Sequence, residues 1–159
     1  MKTRKNILWG VLSVDKRYNF GDYLYEKDYW VVFLAPNQGN LGTCVVALKR
    51  REEFLRNVKE EEWSEFRLIV VELENAVKKA FGATLFNWGF LMNQFYRDNI
   101  LPPWLHCHFI PRYDHKVELN GEIFEDPYFG YMRPRGPFKI SERTREIIKE
   151  KILENIKLL

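Results

Sequence analysis

The most constraining feature of this sequence is a long helical repeat of apolar residues set between strand-like segments. Asn57 followed by Glu60 predicts a capping box at the start of the helix, and Gly82 suits its C-terminal end. The spacing therefore predicts an α-helix over residues 60–81. Its apolar face recurs at three- and four-residue steps and consists of Trp63, Phe66, Val70, Leu73, Val77, Ala80 and Phe81.

Strand-like segments lie on both sides of this helix. Residues 29–35 and 43–48 are rich in β-branched and aromatic side chains, and the loop PNQGNLG between them is rich in turn formers. After the helix, residues 83–92 and 104–113 predict two more strands, the second interrupted by Pro111. This order predicts an α+β fold with an antiparallel sheet and helices packed on it.

The last part of the chain follows two different patterns. Residues 114–138 contain glycine, proline and aromatic residues without periodicity, so we interpret them as an irregular segment that wraps the sheet or covers a pocket. From Ser141 an apolar stripe with helical spacing predicts a C-terminal helix. The length of 159 residues suits a single domain over 1–159, with its core at about 22–113.

Composition excludes several classes of protein. The net charge of +3, from 25 basic and 22 acidic residues, does not indicate a nucleic-acid binder. No segment is long and apolar enough to predict a membrane span, and the N-terminal residues do not resemble a secretory signal. Cys44 and Cys107 form no C-x-x-C pair and lie in apolar runs, so buried free thiols are expected. We therefore expect a cytoplasmic protein.

The sequence WLHCHFIPRY, residues 104–113, holds two of the chain's three histidines. In a strand, residues two apart share a face, so His106 and His108 are predicted to project side by side with Trp104. Paired imidazoles suit metal binding, general acid–base catalysis or nucleophilic attack on phosphorus. Two structural histidines, hydrogen-bonded on a half-exposed sheet face, are about equally compatible with the pair alone.

The wider pattern resembles the histidine triad (HIT) superfamily. Its signature strand reads His–apolar–His–apolar–His followed by two apolar residues, and here His106 and His108 match the central and last histidines while Trp104 replaces the first. The segments GTCVVALKRREEF and GATLFNWGFLMN are similar to the family's strand before its long helix and to the amide-bearing strand before its histidines. The resemblance covers roughly residues 28–113.

The resemblance implies an antiparallel meander sheet with one long helix, and a homodimer. It implies a hydrolase or nucleotidyl transferase for dinucleoside polyphosphates or adenylated small molecules. In this scheme His106 attacks the α-phosphate and forms a nucleotidyl-histidine, while His108 contacts phosphate oxygens. No cofactor is required, although a divalent metal can accompany the substrate phosphates.

The resemblance also implies several substrate-binding residues. Asn93 is the preferred amide for the phosphate, with Gln94 as its competitor, and Asn87 is a candidate for orienting the backbone near the site. Ala35 stands where the family tends to bind the ribose, which leaves Asn37 as a possible substitute, and Trp104 is a candidate for stacking on the base.

The departures from the family pattern leave alternatives open. Thr43 and Arg51 stand where the family often has further histidines, and the triad lacks its first member. A nucleotide-binding module with little turnover is one alternative. A metal-dependent enzyme using His106, His108 and His115 is another.

Overall fold

A computed structural model describes residues 19–131. They contain a five-stranded sheet, one long helix, one short helix and a two-stranded ribbon. The C-terminal helix predicted from Ser141, and residues 132–138 of the predicted wrapping segment, lie outside the described residues. The elements are β1 Asp22–Glu26, β2 Trp30–Leu34, β3 Cys44–Leu48, α1 Glu60–Phe81, β4 Leu85–Gly89, α2 Asn93–Arg97, β5 His106–Arg112, β6 Val117–Leu119 and β7 Glu122–Phe124.

The larger sheet is antiparallel throughout, as predicted, with the strand order β1-β2-β3-β5-β4. The first three strands follow one another as a meander. Strand β4 then forms the far edge, and β5 returns between β3 and β4. The histidine-bearing strand β5 is therefore held on both sides by neighbouring strands, which fixes the directions of its side chains.

Helix α1 confirms the predicted span of residues 60–81. Its C-terminal end is as expected, because Gly82 adopts φ 73° and donates its backbone N–H to the Lys78 carbonyl oxygen at 2.9 Å. The start of the helix differs from the prediction. The N-cap is Lys59, not Asn57, and its backbone N–H donates to Oε2 of Glu62 at 2.8 Å.

The sheet buries apolar side chains on both faces. Leu105, Cys107 and Phe109 face α1 and pack with the buried side chains of that helix, such as Ile69. The opposite face carries a second buried cluster, whose members are Phe20, Val31, Phe33, Ala35, Val45, Ala47, Phe95, Ile100 and Trp104. None of the helices among residues 19–131 is both long and apolar enough to cross a bilayer.

The strand predictions require two corrections. Strand β1 was not predicted, because its sequence DYLYE lacks a clear alternation and its pairing with β2 is shifted between Tyr23 and Tyr25. Pro111 does not interrupt β5, which continues to Arg112. The strand tolerates this proline because its pairing with β3 ends at Phe109, which leaves one side of β5 open at Pro111.

Residues 114–131 are not wholly irregular, because β6 and β7 form a hairpin. Asn120 and Gly121 occupy the turn with φ values of 53° and 79°. Positive φ at both positions is typical of the type I′ turn that Asn-Gly favours. The Asn-Gly pair was thus a local signal for this hairpin that the aperiodic surroundings obscured.

The Glu65 side chain joins α1 to the start of β2. Its carboxylate accepts three backbone N–H groups, from Asp28 at 2.9 Å, Tyr29 at 2.7 Å and Trp30 at 3.1 Å. Glu65→Ala leaves these donors without their acceptor, so we expect the free energy of unfolding to fall by about 2 kcal/mol. Urea denaturation measures the change. The exposed Glu61→Ala on the same helix is the control, and equal losses in both variants would contradict the proposed role of Glu65.

Candidate functional site

His106 and His108 lie on one face of the sheet, as predicted. Strand β5 places His106 opposite Ala47 of β3, and His108 between Val45 of β3 and Gly89 of β4. The two Nε2 atoms are 3.1 Å apart. This close approach is a direct result of the two-residue repeat of a strand clamped by both neighbours.

His106 is buried more deeply than the half-exposed sheet face considered from the sequence. Its side chain is 0% exposed and lies between the rings of Phe20 and Phe95, each with its centroid 5.5 Å from the imidazole. Burial lowers the pKa of His106 to about 4, against the opposing effect of its hydrogen bond to the Trp104 backbone. The ring is therefore neutral at physiological pH.

The Trp104 backbone fixes the tautomer of His106. Nδ1 of His106 lies 2.8 Å from the Trp104 carbonyl oxygen. Because a carbonyl oxygen only accepts, Nδ1 carries the proton and the lone pair of the neutral ring is at Nε2. Nε2 is the atom that faces His108, so the lone pair of His106 points along the strand toward its partner imidazole.

The Trp104 side chain belongs to the core. The indole is 2% exposed, and its Nε1–H donates to the Leu48 carbonyl oxygen at 2.8 Å. The guanidinium carbon of Arg51 lies 4.8 Å from the centre of the indole ring. The position of the indole contradicts the expectation that Trp104 stacks on a base, since no ligand ring reaches a surface that is already covered.

His108 opens onto a cavity, whereas His106 does not line it. The cavity has a volume of about 570 Å³ and lies against the loop between β2 and β3. Burial lowers the pKa of His108, partly offset by a hydrogen bond to the Leu91 backbone. The imidazole is thus a neutral hydrogen-bonding group at the wall. The lining residues are Asn19, Ala35, Pro36, Asn37, Gly39, Asn40, Thr43, Val45, Gln94, His108 and Ile110.

The structure separates the amide residues selected from the sequence. Asn37 and Gln94 both line the cavity with His108. Asn93 is exposed at the start of α2 and does not line the cavity, so Gln94 and not Asn93 is the amide that faces it. Asn87 is an exposed residue of β4 that pairs with Ile110 and also lies outside the lining.

His115 does not join the other two histidines. Its Nδ1 lies 2.7 Å from Oδ1 of Asp114, and it lines a separate cavity of about 270 Å³ with Lys116 and Asp126. Within residues 19–131, no group of three or more histidine, cysteine and acidic side chains is placed to hold a metal ion. The three-histidine metal site considered from the sequence therefore does not form.

Several residues of the site were not found from the sequence. Phe20 and Phe95 enclose His106 but lie far apart in the sequence. Asn19 and Asn40 line the cavity without belonging to any recognisable motif. Only the tertiary fold brings these residues to His106 and His108, so no local pattern predicts them.

Comparison with solved structures identifies the fold. No protein-family profile matches the chain, and no curated protein sequence matches it. A member of the HIT family from Bacillus subtilis is similar in structure, with a TM-score of 0.61 and 17% identity over 98% of this chain and 100% of that chain. A HIT family protein from Bacillus anthracis has a TM-score of 0.53 and 21% identity, over 86% of this chain and 89% of that chain.

A third similar structure is a hypothetical histidine triad nucleotide-binding protein from Sulfolobus tokodaii. Its TM-score is 0.51, with 19% identity over 84% of this chain and 82% of that chain. At these identities the likeness is one of fold. The chain has the fold of the histidine triad proteins, as the sequence resemblance predicted.

Proposed function

We propose that this chain, which has the fold of the histidine triad proteins, is a nucleotide hydrolase or nucleotidyl transferase that works through a covalent nucleotidyl-histidine. The observation that carries the proposal is the hydrogen bond from His106 Nδ1 to the Trp104 carbonyl oxygen. It leaves the lone pair of His106 at Nε2, 3.1 Å from a second imidazole that lines a cavity. A fixed, neutral imidazole is a competent nucleophile toward phosphorus.

The reaction has two steps. In the first, His106 Nε2 forms a bond to the α-phosphorus, and the bond from that phosphorus to the leaving group breaks, with the electron pair departing on the leaving group. In the second, the oxygen of a water molecule forms a bond to the same phosphorus and the water loses a proton to solvent. The N–P bond breaks with its electron pair returning to His106 Nε2, and a nucleoside monophosphate is released. His108 donates a hydrogen bond to a phosphate oxygen and stabilises the charge that grows in the transition state.

The attack requires one rearrangement. His106 Nε2 is engaged with His108 Nε2 and is fully buried, so the ring of His108 turns toward the cavity when the phosphate arrives. The phosphate oxygen then takes the place of His106 as the partner of His108 Nε2. This exchange replaces one hydrogen bond with another, which keeps its free-energy cost small.

Substrate contacts follow from the residues that line the cavity. We assign the sugar to Asn37 and the phosphates to Gln94, because both share the cavity wall with His108. Asn93 lies next to Gln94 in the first turn of α2, and Asn87 lies on the strand beside β5; we assign both to the outer part of the substrate. Trp104 contributes through its carbonyl group, not by stacking on a base.

The protein is further proposed to act as a homodimer in the cytoplasm. Strand β4 supports the dimer, because it is the edge of the sheet and pairs only with β5 in the described part of the chain. The buried free thiols of Cys44 and Cys107 suit a reducing compartment. The proposed chemistry uses no resident cofactor, and any divalent metal enters with the substrate phosphates.

A second candidate function is nucleotide binding with little turnover. The full burial of His106 and the replacement of the first triad histidine by Trp104 favour it. Incubation with a labelled adenylyl donor separates the two candidates. An adduct that is labile in acid and stable in alkali, and that maps to His106, supports the enzyme. Tight nucleotide binding without adduct or product supports the binding module.

The contribution of Trp104 to the reaction is testable through its side chain. In Trp104→Phe the carbonyl oxygen that fixes His106 remains, so we expect turnover to fall less than about 10-fold. Stability should fall by about 2 kcal/mol, since the buried Leu48 carbonyl oxygen loses its indole donor. Steady-state kinetics and urea denaturation measure the two effects. A loss of turnover as large as that of a His106 variant would show that the indole itself is needed.

A further inference from the structure

The cavity beside His108 has a wall of neutral polar groups. Its polar side chains are the amides of Asn19, Asn37, Asn40 and Gln94, the hydroxyl of Thr43 and the imidazole of His108. None of its lining residues is acidic or carries a permanent positive charge. Ligand selection by this wall therefore depends on which hydrogen-bond donors and acceptors remain unused.

Two of the amides have a fixed orientation. Oδ1 of Asn19 accepts the backbone N–H of Gly21 at 2.9 Å, and Oδ1 of Asn37 accepts the backbone N–H of Gly39 at 2.9 Å. These turns use the amide oxygens. The NH₂ groups of both side chains have no acceptor among residues 19–131 and remain to donate to a ligand.

Three backbone carbonyl groups of the wall are also engaged within the protein. Gln38 Nε2 donates to the carbonyl oxygens of Ala35 at 2.8 Å and Thr43 at 2.9 Å. The Asn40 carbonyl oxygen accepts the backbone N–H of Thr43 at 3.1 Å and its hydroxyl at 2.6 Å. These carbonyl oxygens thus accept hydrogen bonds from their own loop, while the NH₂ groups of Asn19 and Asn37 remain available.

The unused NH₂ donors of the wall suit a ligand group rich in hydrogen-bond acceptors better than they suit a sugar diol. A vicinal diol brings two O–H donors, which a carboxylate satisfies well, whereas a phosphate at physiological pH mainly accepts. A carboxylate in the wall would repel a phosphate, and amide NH₂ groups donate to it. We infer that the donor-presenting amides of Asn19 and Asn37 in the cavity wall make the preferred substrate a nucleotide whose sugar bears a second phosphate. The inference rests on the proposed nucleotide function.

Asn37→Asp is a closely matched test of this preference. Aspartate keeps an oxygen for the Gly39 N–H but replaces the NH₂ donor with a negatively charged oxygen. The full-length protein is titrated calorimetrically with adenosine 5′-monophosphate and with adenosine 3′,5′-bisphosphate. The wild type should bind the bisphosphate about 5-fold more tightly, since an added charged acceptor meets unused donors.

In Asn37→Asp the bisphosphate should bind at least about 10-fold more weakly than in the wild type, whereas the monophosphate, whose two sugar hydroxyls can donate to the new carboxylate, should gain affinity. The exposed turn residue Asn99, which lies outside the cavity lining, provides the control. Asn99→Asp adds the same charge and should leave the preference unchanged.

Each remaining outcome overturns the inference in an identifiable way. Preference of the wild type for the monophosphate rejects the inference and leaves the His106 chemistry standing. A bisphosphate preference that survives Asn37→Asp removes Asn37 from the selection and so rejects the inference as stated. If neither nucleotide binds, both the inference and the proposed function are overturned. Adduct formation at His106 tests the proposed function separately.

Discussion

His106→Asn should reduce nucleotide turnover by at least about 1,000-fold, because it removes the nitrogen that forms the covalent intermediate. Asparagine is the informative substitution. Its amide NH₂ takes the place of His106 Nδ1 and keeps a donor for the Trp104 carbonyl oxygen, which lies 2.8 Å from that nitrogen in the wild type. The smaller side chain preserves the local hydrogen bond but has no nucleophile.

The measurement is the rate of nucleoside monophosphate release from a panel of adenylated and dinucleoside polyphosphate substrates. Circular dichroism and thermal denaturation establish that the variant is folded. His108→Asn is the companion variant, and it should lose about 100-fold, since it removes a transition-state donor and not the nucleophile. Equal rates for the wild type and His106→Asn would exclude His106 from the mechanism.

The second large effect is an acid-induced loss of stability that depends on His106. In the unfolded chain an imidazole gains its proton near pH 6.5, whereas burial lowers the pKa of His106 in the folded protein to about 4. Between these values the unfolded state binds more protons than the folded state. The stability contributed by the neutral buried ring is therefore complete above pH 6.5 and is lost as the pH falls toward 4.

The expected loss across this window is about 3 kcal/mol, which follows from a pKa difference between 6.5 and about 4. Acidic side chains such as Glu62 and Asp126, whose pKa values are lowered by Arg50 and Arg112, also contribute stability that is lost on acidification. Their effect is common to the wild type and His106→Asn.

The difference in unfolding free energy between the two proteins, measured in urea from pH 7 to pH 4, reports the titration of His106 together with any change that its removal causes in the neighbouring His108. It should change by about 3 kcal/mol in favour of the variant as the pH falls. Parallel stability profiles of the two proteins would contradict the burial of a neutral ring.

Local periodicity was sufficient to predict the long helix and the strand that carries the histidines. The spacing of apolar residues gave the full extent of α1, and alternation gave the shared face of His106 and His108. Strand β1 was not predicted, because its residues Asp22–Glu26 are exposed or half-buried and pair irregularly with β2. Periodicity has no signal where neither face of a strand is strongly buried.

The residues that surround His106 and His108 could not be predicted from the sequence, for a different reason. His106 is enclosed by Phe20 and Phe95, which are far apart in the sequence and meet only in the folded protein. The choice between Asn93 and Gln94 likewise depended on an unpredicted turn of helix, α2, which directs only Gln94 to the cavity. Adjacent amides are equivalent in a sequence and differ once a helix rotates them by about 100°.

The Gln38 side chain has a thermodynamic consequence for recognition. Its amide group ties together the carbonyl oxygens of Ala35 and Thr43 and the backbone N–H of Gly42, so a single residue braces the whole β2–β3 connection. Because this loop is already held in one conformation, it loses little conformational entropy when a ligand binds. We therefore expect the affinity of a ligand at this loop to depend on shape complementarity and desolvation, with little rearrangement of the backbone.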